Sequence, residues 1–288
     1  MTSIRDLRTR IKSVGSIKQI TRAMEMVAAT KLRRFQTRAV TSRPYAQEIV
    51  HMLERLAGSM GERMAEHPLF RRGGEEKPTG VVLVSSDRGL CGAYNSNLLR
   101  LLEPWLAERD EQQVEFYVFG RKGYQYLSKR GLKIGRLLVD PPLEKVDYRA
   151  AKLMAKAILP EPEASPRFDE VWMLHTAFDS PSRFVPKWTK LVPIELSGPA
   201  AEVGDVLLEP SVEDLLERLV PRYLEARLFN ALLESIASEY AMRRISMKNA
   251  TDAGTEMQDI LRKQYNRKRQ ESITKELLDI VGGAEAVR

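Results

Sequence analysis

The segment SDRGLCGAYNSN (86–97) brings together a carboxylate, a guanidinium and a thiol: Asp87, Arg88 and Cys91, beside Gly89 and Gly92. It follows the apolar run beginning VVLVSSD and opens a helix. In an α/β sheet, backbone N–H groups at such a place can hold phosphates. The chemistry on offer is therefore nucleotide binding, and a nucleotide-using enzyme is the main alternative reading of these residues. The glycine pattern is incomplete, and the chain contains neither GxxxxGK[ST] nor GxGxxG. The plainer reading is a tight strand-to-helix turn that needs Gly89 and Gly92, with Asp87 and Arg88 pairing or capping locally. Cys91 has no His or Asp placed to activate it and reads as a small buried side chain. As the one cysteine it cannot form an internal disulfide, which fits a reducing compartment. His51, His67 and His175 are far apart in sequence and have no paired ligands, so no metal site is expected. The residues lead to no catalytic group and no cofactor.

The second chemical signal is charge. RKQYNRKRQ (262–270) carries five cations in nine residues, and Arg33 with Arg34 forms a smaller basic spot. The formal charge of +7 is uneven: residues 1–43 carry +9, residues 221–270 carry +4, and the rest is −6. Basic ends on an acidic middle predict an acidic partner for the ends, whether nucleic acid, anionic lipid or acidic protein loops. A nucleic-acid binder is a third reading, with a sequence pI of 9.4. Against it, the cations share their helices with a packing seam and few stacking aromatics. No run of 18 apolar residues occurs, and the N-terminus is charged at once, so the chain is expected in the cytoplasm or on the cytoplasmic side of a membrane.

Two long helices must position these charges. From Ser3, a plausible N-cap, Ile4, Leu7, Ile11 and Val14 form a stripe that Ile17, Ile20, Met24 and Val27 continue after a phase slip. Its period near 3.5 is that of a coiled coil, and Met24 and Met26 read as seam packing. Pro44 bends or restarts this helix, and Gly58 and Gly61 mark its end. Roughly 55 residues make a rod of ~80 Å. At the other end Ser211 caps a short helix, and Pro221 suits the first turn of a new one. That helix runs to about Val281, with Leu224, Leu228, Leu232, Ile236 and Tyr240 on one face and Ile245, Ala250, Met257, Ile260 and Leu261 carrying it on. Each stripe needs burial, and each rod supplies the other's only comparable surface, so they pair antiparallel.

Between them, RRGGEEKPT (71–79) is expected to be a linker or surface loop. Strands are expected at 81–87, 114–120, 131–139 and 168–178. Helices are expected at 97–109, 121–129 and 147–158, with a proline-rich turn at 159–167. Residues 183–196 carry Pro186 and Pro193 and belong on a sheet edge if they form a strand. The alternation implies a mainly parallel sheet covered by helices on both faces.

Four blocks resemble one family in the family's own order. RIKSVGSIKQITRAMEMVAATKLRR (10–34) is similar to the N-terminal helix of the gamma subunit of F-type ATP synthases, and SDRGLCGAYNSN to its central-domain loop. SEYAMRRISMKNATDAG (238–254) and NRKRQESITKELLDIVGGAEA (266–286) resemble its C-terminal helix. The family signature is matched by Ile273, Thr274, Glu276, Asp279, Gly283 and Ala284. The resemblance implies fold class α/β: a long antiparallel coiled coil of the N- and C-terminal helices plus a central Rossmann-like α/β domain. The corresponding segments are 1–58, 71–200 and 211–288. It further implies a non-catalytic rotor shaft, one copy per complex. Its partners would be the alpha and beta subunits of the catalytic hexamer, the epsilon subunit and the membrane c-ring. Arg269, Gln270 and Thr274 would contact a beta-subunit loop, and Met24 would lie close to a lever region of the beta subunits. The chain lacks the cysteine pair of photosynthetic members, and no transit-type segment precedes the first helix, which favours a bacterial source.

Overall fold

The computed structural model describes residues 3–60, 70, 78–159, 167–195 and 211–285. The fold is α/β. Its elements are α1 (Ile4–Met60), β1 (Thr79–Val84), α2 (Tyr94–Ala107), β2 (Val114–Phe119), α3 (Arg121–Lys129), β3 (Ile134–Leu138), α4 (Tyr148–Ile158), β4 (Glu170–Ser180), β5 (Arg183–Val192) and α5 (Val212–Glu285). The chain divides into two compact units: Met1–Ala29 with Arg243–Arg288, and Thr30–Met242.

In the Thr30–Met242 unit the strands form one sheet of order β3-β2-β1-β4-β5. β1, β2, β3 and β4 run parallel, and β5 returns antiparallel along β4. β1 and β2 are almost wholly buried, as strands covered on both faces must be. On one face Val81, Leu83, Phe116, Val118 and Leu174 pack with Leu98, Leu102 and Leu106 of α2 and Leu127 of α3. β5 is the edge strand expected of a segment containing Pro186, whose missing N–H costs least there.

The same unit holds the part of the helical pair formed by α1 from Thr30 and α5 up to Met242. Phe35 of α1 stacks on Tyr240 of α5 at 5.8 Å, and Ser42 donates to Asn230 at 3.0 Å. Numbers rise along α1 as they fall along α5, so the pairing is antiparallel. Residues 231–240 of α5 are buried on every side. Pro221 does not begin a helix: it sits inside α5, which runs unbroken from Val212. The helical bond it cannot make is offset by the burial of Leu216, Val220, Tyr223 and Leu224 around it. Pro44 is likewise accommodated within α1, and Gly58 lies before its end.

Glu144, in the turn before α4, ties these parts together. Its carboxylate accepts from Lys31 of α1 and from Tyr240 Oη at 2.7 Å, while its backbone oxygen accepts from Arg34 at 3.0 Å. The Lys31 bond, then the Tyr240 bond, hold this carboxyl below its ordinary value of 4.5. A depressed acid stabilises the fold above its unfolded pKa, and that stability is lost as pH falls through the folded value. Glu144→Gln is expected to cost about 1–2 kcal/mol at neutral pH. The difference from the parent should shrink in acid below 4.5. Denaturant midpoints at neutral and acidic pH measure both.

In the other unit Ser3 caps α1 as expected, in a reciprocal pair: Asp6 N–H donates to Ser3 Oγ, and Ser3 N–H to Asp6 Oδ2, both at 3.1 Å. In the Thr30–Met242 unit Ser211 caps α5, with Asp214 N–H donating to its Oγ at 3.1 Å.

Candidate partner-binding surface

Within the unit of residues 1–29 and 243–288, the two helices meet through polar groups. Thr21 Oγ1 lies 2.8 Å from Thr251 Oγ1, and Lys18 Nζ donates to Gln258 Oε1 at 3.0 Å. A Cβ on Gly15 would stand 3.0 Å from Gln258 Nε2, so the glycine permits the close approach. The seam of α1 counts strictly by seven: Leu7, Val14, Thr21 and Ala28 on one line, Ile4, Ile11, Lys18 and Glu25 on the other, all buried or half-buried. The expected phase slip does not occur. Ile17, Ile20 and Val27, expected in the seam, are 55–60% exposed, as is Met26. On α5 the half-buried line is Thr251, Gly254, Gln258, Leu261, Tyr265 and Lys268, while Met257 and Ile260 face outward. Polar seam positions thus turn large apolar side chains toward solvent.

The expected contact residues lie on this unit but not in one place. Met24 is half-buried on α1, whereas Arg269, Gln270 and Thr274 are exposed on α5. The Thr21–Thr251 register sets Met24 level with Lys248, about 30 Å from Arg269 at ~1.5 Å per residue. The same register sets Ile4 level with Lys268, so α5 continues to Glu285 past the start of α1. Along that continuation Ile273, Leu277, Leu278, Ile280 and Val281 are 44–68% exposed. Glu276 and Asp279 are exposed beside them, and Gly283 and Ala284 fall within the same helix.

The basic run splits in two. Arg267 and Lys268 reach Glu271 at 3.2 and 2.8 Å, and Arg262 lies 3.7 Å from Asp259. Lys268, then Arg267, holds the Glu271 carboxyl below its ordinary value. Lys263 and Arg269 have no ion pair among the described residues. Nearer Gly15, an open groove of about 990 Å³ is lined by Arg8, Lys12, Lys18 and Arg262 and by no carboxylate. The surface offers cations and apolar side chains in alternation, which suits acidic and apolar partner loops.

The loop at 86–97 is filled by its own side chains. Asn95 Oδ1 accepts from Ser86 N–H at 3.1 Å, and Asn95 Nδ2 donates to Ser86 Oγ at 2.7 Å. Asp87 accepts from the N–H groups of Arg121, at the start of α3, and Leu143, at 3.3 and 2.9 Å. Asp87 thus places a native carboxylate at the N-terminus of α3, where the helix favours negative charge. The turn needs Gly92, at φ 54°, but the other left-handed residue is Leu90 and not Gly89. Cys91 is buried as expected. His51 and His175, distant in sequence, line one cavity in the Thr30–Met242 unit, while His67 lies outside the described residues. Among the described residues no cluster suits a metal ion, and no helix is long and apolar enough to cross a membrane.

Comparison with known proteins agrees with this architecture. A family model described as ATP synthase matches residues 3–287. The chain is 37% identical to the ATP synthase gamma chain of Trichlorobacter lovleyi over 293 residues, and 38% identical to those of Geobacter metallireducens and Moorella thermoacetica. All of this chain and all of each relative are covered. Among solved structures, a chain of the Euglena gracilis mitochondrial ATP synthase assembly of OSCP, F1 and c-ring matches with a TM-score of 0.71. That match covers 99% of this chain and 94% of the other at 20% identity. A chain of the central stalk and c-ring of the Tetrahymena thermophila mitochondrial ATP synthase matches with a TM-score of 0.59, covering 80% and 99% at 23% identity. At those identities the structural matches speak for the fold, and the relatives and the family model for descent: the chain belongs to the ATP synthase gamma chain family.

Proposed function

We propose that the chain is the central rotating stalk subunit of a proton-translocating F-type ATP synthase, one copy per complex, at the cytoplasmic face of a bacterial cell membrane. It carries no chemistry of its own. ATP is made or hydrolysed in the beta subunits, and this chain transmits rotation of the membrane c-ring to them. Its remaining partners are the alpha subunits and the epsilon subunit, with the segments 1–58, 71–200 and 211–288 as helix, base domain and helix.

The observation that carries this reading is the continuation of α5 beyond the start of α1 with Ile273, Leu277, Leu278, Ile280 and Val281 exposed. A helix that exposes so much apolar surface is stable only against a partner. An apolar sleeve at the centre of a ring supplies such a surface without holding the tip at one angle. Below the tip, Arg269, Gln270 and Thr274 face outward where an acidic beta-subunit loop would pass. Met24, about 30 Å lower by helical rise, contacts a different region of the same subunits. The paired helices resist twist between those two levels.

The test is co-purification from the native host. The tagged chain is expected to bring down a complex with ATPase activity that the chain lacks alone. Recovery of a stable, lone monomer would sink the proposal.

A further inference from the structure

The loop 86–97 follows β1 of the sheet, and its side chains reach toward both long helices of the Thr30–Met242 unit. Toward α5, Tyr94 is buried, and its hydroxyl meets the side chains of Thr176 on β4 and Ser235 on α5. Ser235 Oγ in turn accepts from the Thr176 N–H at 3.2 Å.

Toward α1 the route runs through a turn. Asp87 Oδ2 accepts from Leu143 N–H at 2.9 Å, and Oδ1 from Arg121 N–H at 3.3 Å. Leu143 opens a single helical turn, closed by Val146 N–H donating to the Leu143 carbonyl at 3.1 Å. Three cations of α1 grip that turn. Lys31 reaches the Glu144 carboxylate, Arg34 the Glu144 carbonyl at 3.0 Å, and Arg38 the Val146 carbonyl at 3.2 Å. Spacings of three and four residues put these cations on one face of the helix. Arg34 and Arg38 also lie over the Phe35 ring, at 4.8 and 5.6 Å, and Phe35 stacks on Tyr240 of α5. Tyr240 donates to the same Glu144 carboxylate at 2.7 Å. The turn is thus bonded to the loop through an N–H, and to both helices through its carbonyls and its carboxylate.

The two kinds of bond in this unit resist different motions. Apolar burial is non-directional, and resists separation of the helices from the sheet. Hydrogen bonds of fixed length and angle also resist sliding along that surface. In a rotating stalk, torque crosses between sheet and helices within this unit. We propose that the loop 86–97 is the joint at which it crosses, with Asp87 the positioning residue that sets the Leu143–Val146 turn beneath Lys31, Arg34 and Arg38. This rests on the rotating-stalk reading of the chain. Asp87 acts through Leu143 and Glu144, not by touching a reacting group.

Asp87→Asn keeps the size of the side chain and loses one of its two acceptor oxygens. In the full-length chain, the amides of residues 143–146 are expected to exchange with solvent about fivefold faster, as for one lost hydrogen bond. In membranes carrying the assembled complex, the ratio of proton pumping to ATP hydrolysis is expected to fall about fivefold. Glu115→Gln is the control. Glu115 lies toward the other end of β2, held by Tyr117 Oη at 3.0 Å and Arg167 at 2.6 Å, so its loss weakens the same unit away from the joint. A merely structural Asp87 would give the two variants the same ratio. Asp87 and Glu144 hold one turn in series, so Asp87→Asn combined with Glu144→Gln should lower the ratio no further than the worse single variant. Unchanged exchange at 143–146, equal ratios in Asp87→Asn and Glu115→Gln, or additive losses in the double variant would each overturn the joint and leave the stalk reading standing. A parent chain that assembles no ATPase complex would instead remove the stalk reading, and the joint with it.

Discussion

Gly120→Ala is expected to lower the stability of the Thr30–Met242 unit by about 4 kcal/mol, a large part of what such a unit possesses. Gly120 closes β2 and opens α3 with φ 94° and ψ 141°, a conformation that costs side-chain-bearing residues about 1–3 kcal/mol. A Cβ there would also stand 2.3 Å from the Ser85 carbonyl oxygen and 2.8 Å from Ser85 Oγ. Those atoms cannot retreat. Ser85 N–H donates to the Phe119 carbonyl at 2.9 Å, and Ser85 Oγ accepts from Gly123 N–H at 2.8 Å, fixing the end of β1 to the start of α3. The three tryptophans make a convenient reporter. Trp105 stacks on Trp188 at 4.7 Å and Trp172 meets Trp188 edge-on at 6.4 Å, all in this unit. Denaturant unfolding followed by their fluorescence should show the midpoint fall, while the parent and a surface control such as Lys129→Ala stay together. A Gly120→Ala protein within 1 kcal/mol of the parent, on the scale ordinary surface substitutions occupy, would refute this account of the turn.

Much of that base was legible in the residues. α3 begins and ends at Arg121 and Lys129, where it was expected, because Gly120 and Gly131 bracket an unambiguous helical period. β2 was bounded by the same logic, and Pro186 with Pro193 placed β5 on the edge. The helical seam was less legible. Apolarity drew the stripe through Ile17, Ile20 and Val27, whereas the helix buries Lys18 and Glu25 partway and Thr21 and Ala28 wholly. Small and hydrogen-bonding residues let the helices approach closely, and a scan for large apolar side chains passes over them. A count by sevens from Leu7 would have found the line. Pro221 misled for a related reason: its local preference is real, but buried neighbours on both sides outweigh one missing bond. The proposed contact residues come only from family resemblance, since exposed side chains such as Arg269 carry no internal constraint that spacing could reveal. The His175 cavity had one faint signal, a histidine after the apolar run VWML of the segment FDEVWMLHTAF. Its other walls come from β5, from α5 more than fifty residues on, and from α1 more than a hundred residues back in the chain.

The basic run sets the second large expectation. Single removals there should matter little. An exposed ion pair contributes about 0–1 kcal/mol, so Arg269→Ala should leave ATP-driven proton pumping within about fivefold of the parent. Arg267 and Lys268 already share Glu271, and Arg262 is near Asp259, so these cations divide their charge between the helix and any partner. Lys263 and Arg269 can give theirs entirely outward. Removing all five cations together is another matter. Five contributions of roughly 0.5 kcal/mol amount to about 2.5 kcal/mol, enough for more than tenfold in coupling. Reversing all five to Glu adds repulsion from acidic partner loops and should abolish coupled pumping in a complex that still assembles. Five Glu beside Glu271 and Glu276 would also strain the helix through like-charge neighbours. The companion variant with five Gln separates the causes, since Gln keeps helix propensity without charge. The expected order is parent, then Arg269→Ala close behind, then five Gln, then five Glu with no pumping. ATP hydrolysis and proton pumping are measured on the same membranes, and subunit composition on the same preparation. An assembled five-Glu complex that pumps like the parent would exclude electrostatics from the contact. Loss of all pumping in Arg269→Ala alone would show instead that one side chain carries the load. The exposed, dispersed cations of α5 argue against that concentration of force, because a contact spread over several weak pairs can yield at one point during rotation without releasing the rest.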